Sequence, residues 1–381
     1  MASSVVGTGS TSFATKDPFQ RKCFYANGLF WVIYSSGTNM ICRTSTDNIT
    51  WSDETTIRAA VDGNLFSIYF DGTYMHYAYA SGASAASGSV CYRRGTPNSN
   101  GTITWSADEQ EAVTKVSSSV SISPFVSADS DGYPWVAYRY TLSGSYYPYV
   151  TKSSTNDGTW VTDTGFPYKL DNNDPYNDYW RVSVIPLTLG KVWAMACEGK
   201  AYGWLWTGSW SSRETMSVST PSTGTCYSVV AEGDNIHLAF SATTDNIRYR
   251  KRTYGVGWGD EATIQSMGGA SRVYPTLSLD PVTGTLYGFW GGTPTADHVY
   301  YKKCIAGTWD ADPTDWMNET TDHLAYNDGL NSFYKAYGDN IGLVYTTKTT
   351  SPYNIKFNYL NLTQPPAVSR GMISEGLVII I

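Results

Sequence analysis

The stretch C-R-T-S-T-D-N-I-T-W, residues 42–51, decides how this chain folds. Ser45 and Asp47 have short polar side chains that bond their own backbone, and Asn48 tolerates the left-handed conformation of a tight turn. Trp51 follows directly and can hold such a turn against a hydrophobic layer. The stretch therefore predicts a short polar turn, anchored by a large ring, between two extended runs.

The region just before this turn contains a hairpin pattern that returns along the whole chain. Each copy is an extended run, a turn and a second extended run that ends in small and aromatic residues. The seven copies are residues 23–34, 68–79, 125–138, 182–197, 228–240, 276–290 and 333–345. Asn-Gly and Asp-Gly turns between extended runs are strong hairpin signals. The turns recur about every 52 residues, the size of one four-stranded blade.

A third extended run follows each hairpin, and in six units a Trp comes shortly after it. These residues are Trp51, Trp105, Trp160, Trp210, Trp258 and Trp309. The seventh unit has no such Trp and runs instead into Pro365 and Pro366. We therefore expect an all-β chain, with a seven-bladed β-propeller of four-stranded antiparallel blades over residues 20–363. Its last blade should lack an outer strand of its own.

The two ends of the chain, residues 1–19 and 364–381, are predicted to be extended arms. Propeller rings commonly close when one terminus completes the blade begun by the other, because this removes an exposed strand edge. Residues 11–16 are the favoured closing strand, and the C-terminal tail is the alternative. The tail ends in Leu377, Val378, Ile379, Ile380 and Ile381, an aggregation hazard if exposed. If the N-terminus closes the ring, these residues are predicted to dock on a neighbouring subunit.

Composition narrows the classes of function. The chain is 41% hydrophobic and only 15% charged, so it can bury a large core. A net charge of −7 argues against nucleic acid as a partner, because phosphate binding needs a clustered basic surface. The one basic cluster contains Arg248, Arg250 and Arg252, which alternate along an expected strand and are predicted to share a solvated face. No segment suits a membrane span or a secretory signal peptide.

Few residues suggest a metal or cofactor, and none is expected to be required. Six cysteines lack metal-binding spacing and are predicted to be small buried side chains. His76 and His237 lie in expected second strands and are predicted to be packed core residues. The weak candidates for calcium are the closely spaced carboxylates Asp171, Asp174 and Asp178. A solvated loop is the favoured interpretation of that segment.

The turn that ends at Trp51 resembles the Asp-box, S-x-D-x-G-x-T-W, of sialidase-like propellers. This copy is one residue shorter and has Asn48 where such turns usually have Gly. The resemblance implies that a sialidase would bind a carboxylate with three arginines, one of them in an Arg-Ile-Pro segment. No such segment occurs here, since Arg21 precedes Lys-Cys and Arg272 precedes Val-Tyr-Pro. No catalytic residue can be transferred, and we expect a protein that is not an enzyme.

The main hypothesis is a non-catalytic structural or surface component of a larger assembly, such as a virion or phage tail. It rests on the sparse charge, the Ser/Thr/Gly/Asn/Tyr-rich surface and the apolar C-terminus, and it places the protein on a virion or extracellular particle. Its partners would be copies of itself or other subunits, joined through the arms. The alternatives are a sialidase-like glycoside hydrolase and a free carbohydrate-binding lectin. Glycan or receptor contacts are predicted at Tyr146, Tyr147, Tyr149, Tyr176, Tyr179 and Trp180, although these rings could instead pack between blades.

Overall fold

The computed structural model describes residues 3–59, 66–81, 88–114, 121–142, 145–171, 181–198, 200–219, 221, 227–243, 246–268, 273–325 and 329–363. Within these ranges the chain forms seven antiparallel sheets and a single short 3-10 helix, Pro18–Gln20. The predicted seven-bladed β-propeller is confirmed. No helix in the described ranges has the length and hydropathy of a membrane span.

Strand β1 (Ser4–Gly9) precedes the first blade. The first blade contains β2 (Cys23–Ala26), β3 (Leu29–Ser35), β4 (Asn39–Ser45) and β5 (Thr55–Ala59). The second contains β6 (Phe66–Phe70), β7 (Met75–Ala80), β8 (Val90–Pro97), β9 (Ile103–Trp105) and β10 (Gln110–Val113). The third contains β11 (Ser121–Ala128), β12 (Pro134–Leu142), β13 (Ser145–Lys152) and β14 (Tyr168–Lys169). Within a blade, each successive strand pairs with the one before it and lies further from the axis. The short strand β9 is additional to this order and pairs with β8.

The other blades repeat this order, with β22 and β27 as short extra strands. The fourth blade contains β15 (Arg181–Pro186), β16 (Val192–Glu198), β17 (Lys200–Trp206) and β18 (Glu214–Thr215), and the fifth contains β19 (Tyr227–Glu232), β20 (Asn235–Ala242), β21 (Asn246–Thr253), β22 (Gly257–Trp258) and β23 (Ala262–Ser266). The sixth contains β24 (Thr276–Leu279), β25 (Leu286–Gly291), β26 (His298–Ile305), β27 (Thr308–Trp309) and β28 (Thr314–Asn318). The seventh contains β29 (Asn331–Ser332), β30 (Asn340–Thr347) and β31 (Tyr353–Asn361). In the seventh blade the first strand is shorter than predicted and lies before residue 333.

The second strand of each blade is packed on both faces by neighbouring blades. Strand β3, for example, reads LFWVIYS and is buried at every position, whereas the outer strand β5 reads TTIRA and has no buried residue. Four second strands contribute a fully buried indole, from Trp31, Trp135, Trp193 and Trp290. The continuous apolar runs thus mark inner strands, and polar runs mark the rim.

The turn at residues 45–51 has the predicted geometry. Asp47 Oδ1 accepts hydrogen bonds from the backbone amides of Ile49 and Thr50, both at 2.8 Å, and Asn48 has a φ of 59°. The Ser45 hydroxyl oxygen accepts the amide of Asn48 at 2.9 Å. The side chains of the turn thus satisfy its backbone amides, as expected for Ser, Asp and Asn in such positions.

Most of the Trp residues that follow a third strand pack against the preceding blade. Five of the six make this contact, and Trp105 instead packs on Tyr77 of its own blade. The pairs, with their ring-centroid distances, are Trp51 with Phe357 (5.5 Å), Trp160 with Tyr92 (5.2 Å), Trp210 with Trp135 (6.2 Å), Trp258 with Trp193 (6.0 Å) and Trp309 with Tyr249 (5.3 Å). The hydrophobic layer that anchors these turns is therefore the neighbouring blade.

The N-terminal strand β1 closes the ring as the outer strand of the seventh blade. It pairs antiparallel with β31, from Ser4 opposite Phe357 to Gly9 opposite Tyr353. The last blade thus borrows its outer strand, as predicted, but the assignment of that strand to residues 11–16 was wrong. Those residues form turns, because the chain must travel there from the rim to the axis. The tail from residue 364, including Leu377, Val378, Ile379, Ile380 and Ile381, lies outside the described residues, and its role stays a prediction.

The axis of the ring is filled by the segment that leads into the first blade. Arg21 is buried there and donates hydrogen bonds to Ser228, Thr276 and Ser332, which belong to the inner strands of three different blades. Burial lowers the pKa of its guanidinium to about 10. Lys22, also buried, donates to the carbonyl oxygen of Phe66 in the second blade. One segment of chain therefore joins inner strands around the ring.

The basic strand β21 differs from its prediction in one respect. Arg252 is buried and forms an ion pair with Glu214 of the fourth blade at 2.8 Å, and Arg250 donates to the carbonyl oxygen of Met216 at 3.1 Å. The alternating arginines do share a face, but that face is turned to the neighbouring blade. The predicted solvated face was wrong, because adjacent blades overlap there.

Candidate functional site

Two cavities open where the hairpins between first and second strands gather around the axis. The first cavity, of about 730 Å³, is lined by residues of six blades, among them Tyr69, Asp129 and Tyr334. The second, of about 630 Å³, reaches the first blade. Thr73, Pro281 and Lys335 line both cavities. We call the two together the hairpin groove.

Two of the three acidic side chains that line the groove, Asp71 and Asp129, hold their own hairpins. Asp71 Oδ1 accepts the backbone amides of Thr73 and Tyr74 at 2.6 and 2.7 Å. Burial alone would raise the pKa of Asp71, but His76 and these amides outweigh it and lower the pKa. Asp129 accepts the Trp135 indole N–H at 2.9 Å, and burial raises its pKa. Both carboxylates are therefore largely committed to the fold.

Lys335, unlike Asp71 and Asp129, is not committed to its hairpin. Among the residues that the structure describes, its ammonium has no hydrogen-bond or ion-pair partner, and it lies 5.9 Å from the centre of the Tyr337 ring. Burial lowers its pKa, against a smaller opposing effect of Asp71. Its backbone is fixed, because Lys335 forms an isolated parallel β-bridge with Leu279, and the backbone amide of Ala336 donates to the Leu279 carbonyl oxygen at 2.7 Å. A desolvated cation is thus held between the two cavities.

Tyrosine rings form the floor of the first cavity. Tyr69 and Tyr334 meet edge to face at 5.7 Å, and the Tyr334 hydroxyl oxygen accepts the amide of Ala231 at 3.0 Å. The guanidinium of Arg21 lies 5.6 Å from the Tyr334 ring. At the rim, the Arg94 guanidinium stacks on Tyr74 at 4.0 Å. These rings are fixed apolar platforms with polar edges, a combination that suits a sugar face.

Two buried histidines connect acids of the hairpins to tyrosines of third strands. His76 Nε2 lies 3.0 Å from Asp71 Oδ2, and its Nδ1 lies 2.9 Å from the Tyr92 hydroxyl. His237 lies 2.7 Å from the Tyr249 hydroxyl and 3.3 Å from a carboxylate oxygen of the hairpin acid Glu232. Both histidines are buried, as predicted for packed core residues.

The burial of His237 predicts a loss of stability in acid. Burial lowers its pKa from 6.5 to about 4, so between these values the unfolded chain binds more protons than the folded one. The free energy of unfolding should therefore fall by about 2 kcal/mol as pH drops from 6.5 to 4, owing to this residue. Urea unfolding over this pH range measures the effect. His237→Gln should flatten the slope, whereas His323→Gln, at a half-exposed site, should retain it; equal slopes would contradict the assignment.

The residues that the sequence suggested for binding lie elsewhere. Tyr146, Tyr147 and Tyr149 stand half-buried on strand β13, not in a loop, and do not line the groove. The Lys169 ammonium lies 3.3 Å from the Tyr147 ring centre, and Tyr149 packs on Tyr138 at 5.9 Å. The other three predicted residues, Tyr176, Tyr179 and Trp180, lie outside the described residues. A binding role for all six stays a prediction.

The calcium candidates are only partly described. Asp171 accepts a hydrogen bond from Arg213 at 2.6 Å, while Asp174 and Asp178 lie outside the described residues. In the described ranges no three His, Cys, Asp or Glu side chains are grouped as metal ligands. The five described cysteines are free thiols, four of them buried.

The hairpin groove and Lys335 were not predicted from the sequence as a functional site. The signal was available in part, because the seven predicted hairpins must gather on one face of a propeller. Lys335 falls in the last of these segments, residues 333–345, where it is the only lysine or arginine. The sequence does not show that this lysine is half-buried and, among the residues that the structure describes, without a partner.

Comparison with known proteins yields fold similarity only. No family model and no curated protein matches the sequence. The structure is similar to an ulvan lyase of polysaccharide lyase family PL25 bound to GlcA(1-4)Rha3S, with TM-score 0.56, 13% identity and coverage of 93% of this chain and 96% of that one. It is similar to polysaccharide lyase Uly1, with TM-score 0.54, 10% identity and coverage of 91% and 90%. A triple arginine-to-alanine mutant of AofleA from Arthrobotrys oligospora matches with TM-score 0.51, 13% identity and coverage of 80% and 88%.

These similarities correct the expectation that the protein is not an enzyme. That expectation rested on the absence of sialidase residues such as an Arg-Ile-Pro segment. The ulvan lyase and the second polysaccharide lyase have the same fold, so missing sialidase motifs do not argue against catalysis. The comparisons support neither the Asp-box assignment nor a viral origin, and the virion role has no support from them.

Proposed function

We propose that this protein is a carbohydrate-active propeller that binds an acidic polysaccharide in the hairpin groove. The observation that carries the proposal is the ammonium of Lys335, which is half-buried and, among the described residues, unpaired. A carboxylate or sulfate on a sugar would supply the missing partner. The polysaccharide lyases with this fold, one of them bound to GlcA(1-4)Rha3S, support a substrate of this class.

The surroundings of Lys335 suit a sugar better than a free anion. Tyr69, Tyr74 and Tyr334 line the first cavity, and the parts of their rings that reach it offer apolar contact to a pyranose. Hydroxyl and backbone groups at the rim, such as those of Thr73 and Thr188, can exchange hydrogen bonds with sugar hydroxyls.

Cleavage by elimination is the second candidate, favoured by the position of Tyr69 in the same cavity as Lys335. Elimination beside a sugar carboxylate removes the proton on the adjacent carbon and breaks the bond to the leaving oxygen, so it requires a base, a cation at the carboxylate and an acid for the leaving oxygen. The exposed carboxylate of Asp131, which lines the same cavity, would take the proton. Lys335 would supply the cation. The hydroxyl of Tyr69 would donate the proton to the leaving oxygen; burial raises the pKa of Tyr69 well above its ordinary value, so the hydroxyl carries this proton but is a weaker acid than a free tyrosine. Ultraviolet absorbance of an unsaturated product would detect this reaction.

The substitution Lys335→Met should weaken binding of an acidic polysaccharide. A hydrogen bond to a charged group contributes about 1.5–3 kcal/mol, so we expect Kd to rise about 10- to 100-fold. Isothermal titration against matched acidic and neutral glycans measures this. Lys303→Met is the control, since Lys303 also lies 5.9 Å from a tyrosine ring, that of Tyr287, but outside the groove. Unchanged affinity in Lys335→Met, or failure of wild type to bind any acidic glycan, would overturn the proposal.

A further inference from the structure

We infer that the second cavity is a separate sugar subsite, so that the groove binds an internal stretch of a polysaccharide and not only a chain end. This inference rests on the proposed function. The two cavities adjoin at Thr73, Pro281 and Lys335, which line both. A chain whose acidic group reaches Lys335 from the first cavity therefore has space to continue into the second.

The sizes of the cavities favour a ligand of several sugars. Small-molecule sites usually measure about 300–1,000 Å³. The cavities, at about 730 and 630 Å³, each lie within this range alone. A single terminal sugar would occupy only part of one cavity and would leave the other without a function.

The second cavity differs from the first in charge. Apart from Lys335, its lining has no ionisable acid or base of the Asp, Glu, Lys, Arg or His type, whereas the first contains Asp71, Asp129 and Arg94. A neutral sugar is the residue that such a lining accepts without an unpaired buried charge. The ligand predicted by this arrangement has a neutral sugar beside the acidic one.

The polar groups of the second cavity are placed on a fixed frame. The Tyr337 hydroxyl donates to the Phe70 carbonyl at 3.0 Å, and Tyr25 packs on Phe30 with ring centroids 5.0 Å apart. Asn27 donates its amide N–H to the Pro97 carbonyl at 2.6 Å. Its amide oxygen accepts no hydrogen bond from the residues that the structure describes, and so remains able to accept one from a sugar hydroxyl.

The test compares acidic oligosaccharides of increasing length on variants that fill the second cavity. Thr96 lines this cavity, and Thr104 is its partner across the strand pair but lines neither cavity. Thr96→Trp should leave the affinity for an acidic monosaccharide unchanged and lower that for longer oligosaccharides about 10-fold. Thr104→Trp, the matched control, should change neither. Tyr25→Ala, which removes a ring from the cavity, should act in the same direction as Thr96→Trp.

Failure of this inference is distinguishable from failure of the proposed function. If wild-type protein binds no acidic oligosaccharide of any length, the proposed function fails. If wild type binds an acidic monosaccharide as tightly as longer chains, and Thr96→Trp and Tyr25→Ala change neither affinity, glycan binding stands and the second subsite is wrong. Increasing affinity with length that Thr96→Trp removes supports the subsite.

Discussion

Deletion of residues 1–10 is expected to abolish the stable monomeric propeller. Strand β1 supplies the outer edge of the seventh blade, and without it β31 would expose unpaired backbone groups from Tyr353 to Phe357. The deletion also removes Val6, which is 1% exposed, and the Ser4 hydroxyl, which accepts the Trp51 indole N–H at 2.9 Å. Ser4 thereby links the closing strand to the polar turn of the first blade.

The expected loss is a large part of the total stability. Burial of Val6 contributes about 2 kcal/mol, and each net hydrogen bond of the strand pair contributes about 1 kcal/mol. The sum approaches the roughly 5–15 kcal/mol that a folded domain typically has. Urea unfolding and light scattering should show a protein that is unfolded or associates through the open edge.

A pair of single substitutions controls for the shortened chain. Val6 is buried, whereas Val5 beside it is 49% exposed. Val6→Asp should destabilise by about 3 kcal/mol or more, because it places an unpaired charge in the core. Val5→Asp should change stability by less than about 1 kcal/mol. A folded monomeric deletion variant with wild-type stability would show that β1 does not close the ring.

Replacement of Arg21 by Ala is expected to destabilise the protein by about 3–5 kcal/mol. Its guanidinium donates to Ser228, Thr276 and Ser332 and also lies within hydrogen-bond distance of the Val229 and Ser332 carbonyls. Removal would leave carbonyl groups unpaired and a void on the axis. Arg21→Lys should recover only part of the loss, because one ammonium does not reproduce the fork that spans three blades.

The control for Arg21 is an arginine on the rim. Arg43 donates to the carbonyl of Ser52 at 2.6 Å in an exposed position, so Arg43→Ala should cost less than about 1 kcal/mol. Chemical unfolding of the three variants compares them directly. Equal stability of Arg21→Ala and Arg43→Ala would contradict the role assigned to the axial segment.

The sequence predicted the fold well because its signals are local. The hairpins depend on turns such as Asn27-Gly28, and the turn at Asp47 depends on bonds within three residues. The closing strand was misplaced because nothing local distinguishes residues 4–9 from residues 11–16. Only the distance from the rim to the axis requires the later residues to bridge inward.

The candidate site was harder to predict because it depends on contacts between blades. Lys335 is notable for its burial and its lack of a partner among the described residues, and neither property follows from its neighbours in sequence. The tyrosines around Tyr147 were predicted as a binding site because they are close together in the sequence. In the structure, those that are described lie half-buried on a strand. From the sequence, Arg21 suggested only a comparison with the sialidase arginines, because its position on the axis depends on inner strands of three blades that are distant in sequence.

A crystal structure with a bound acidic oligosaccharide tests the central claim most directly. The ligand should lie in the hairpin groove, with a carboxylate or sulfate oxygen about 3 Å from Lys335 Nζ and sugar rings against Tyr69, Tyr74 or Tyr334. A ligand bound on the opposite face of the ring or between outer strands, with Lys335 still unpaired, would contradict it.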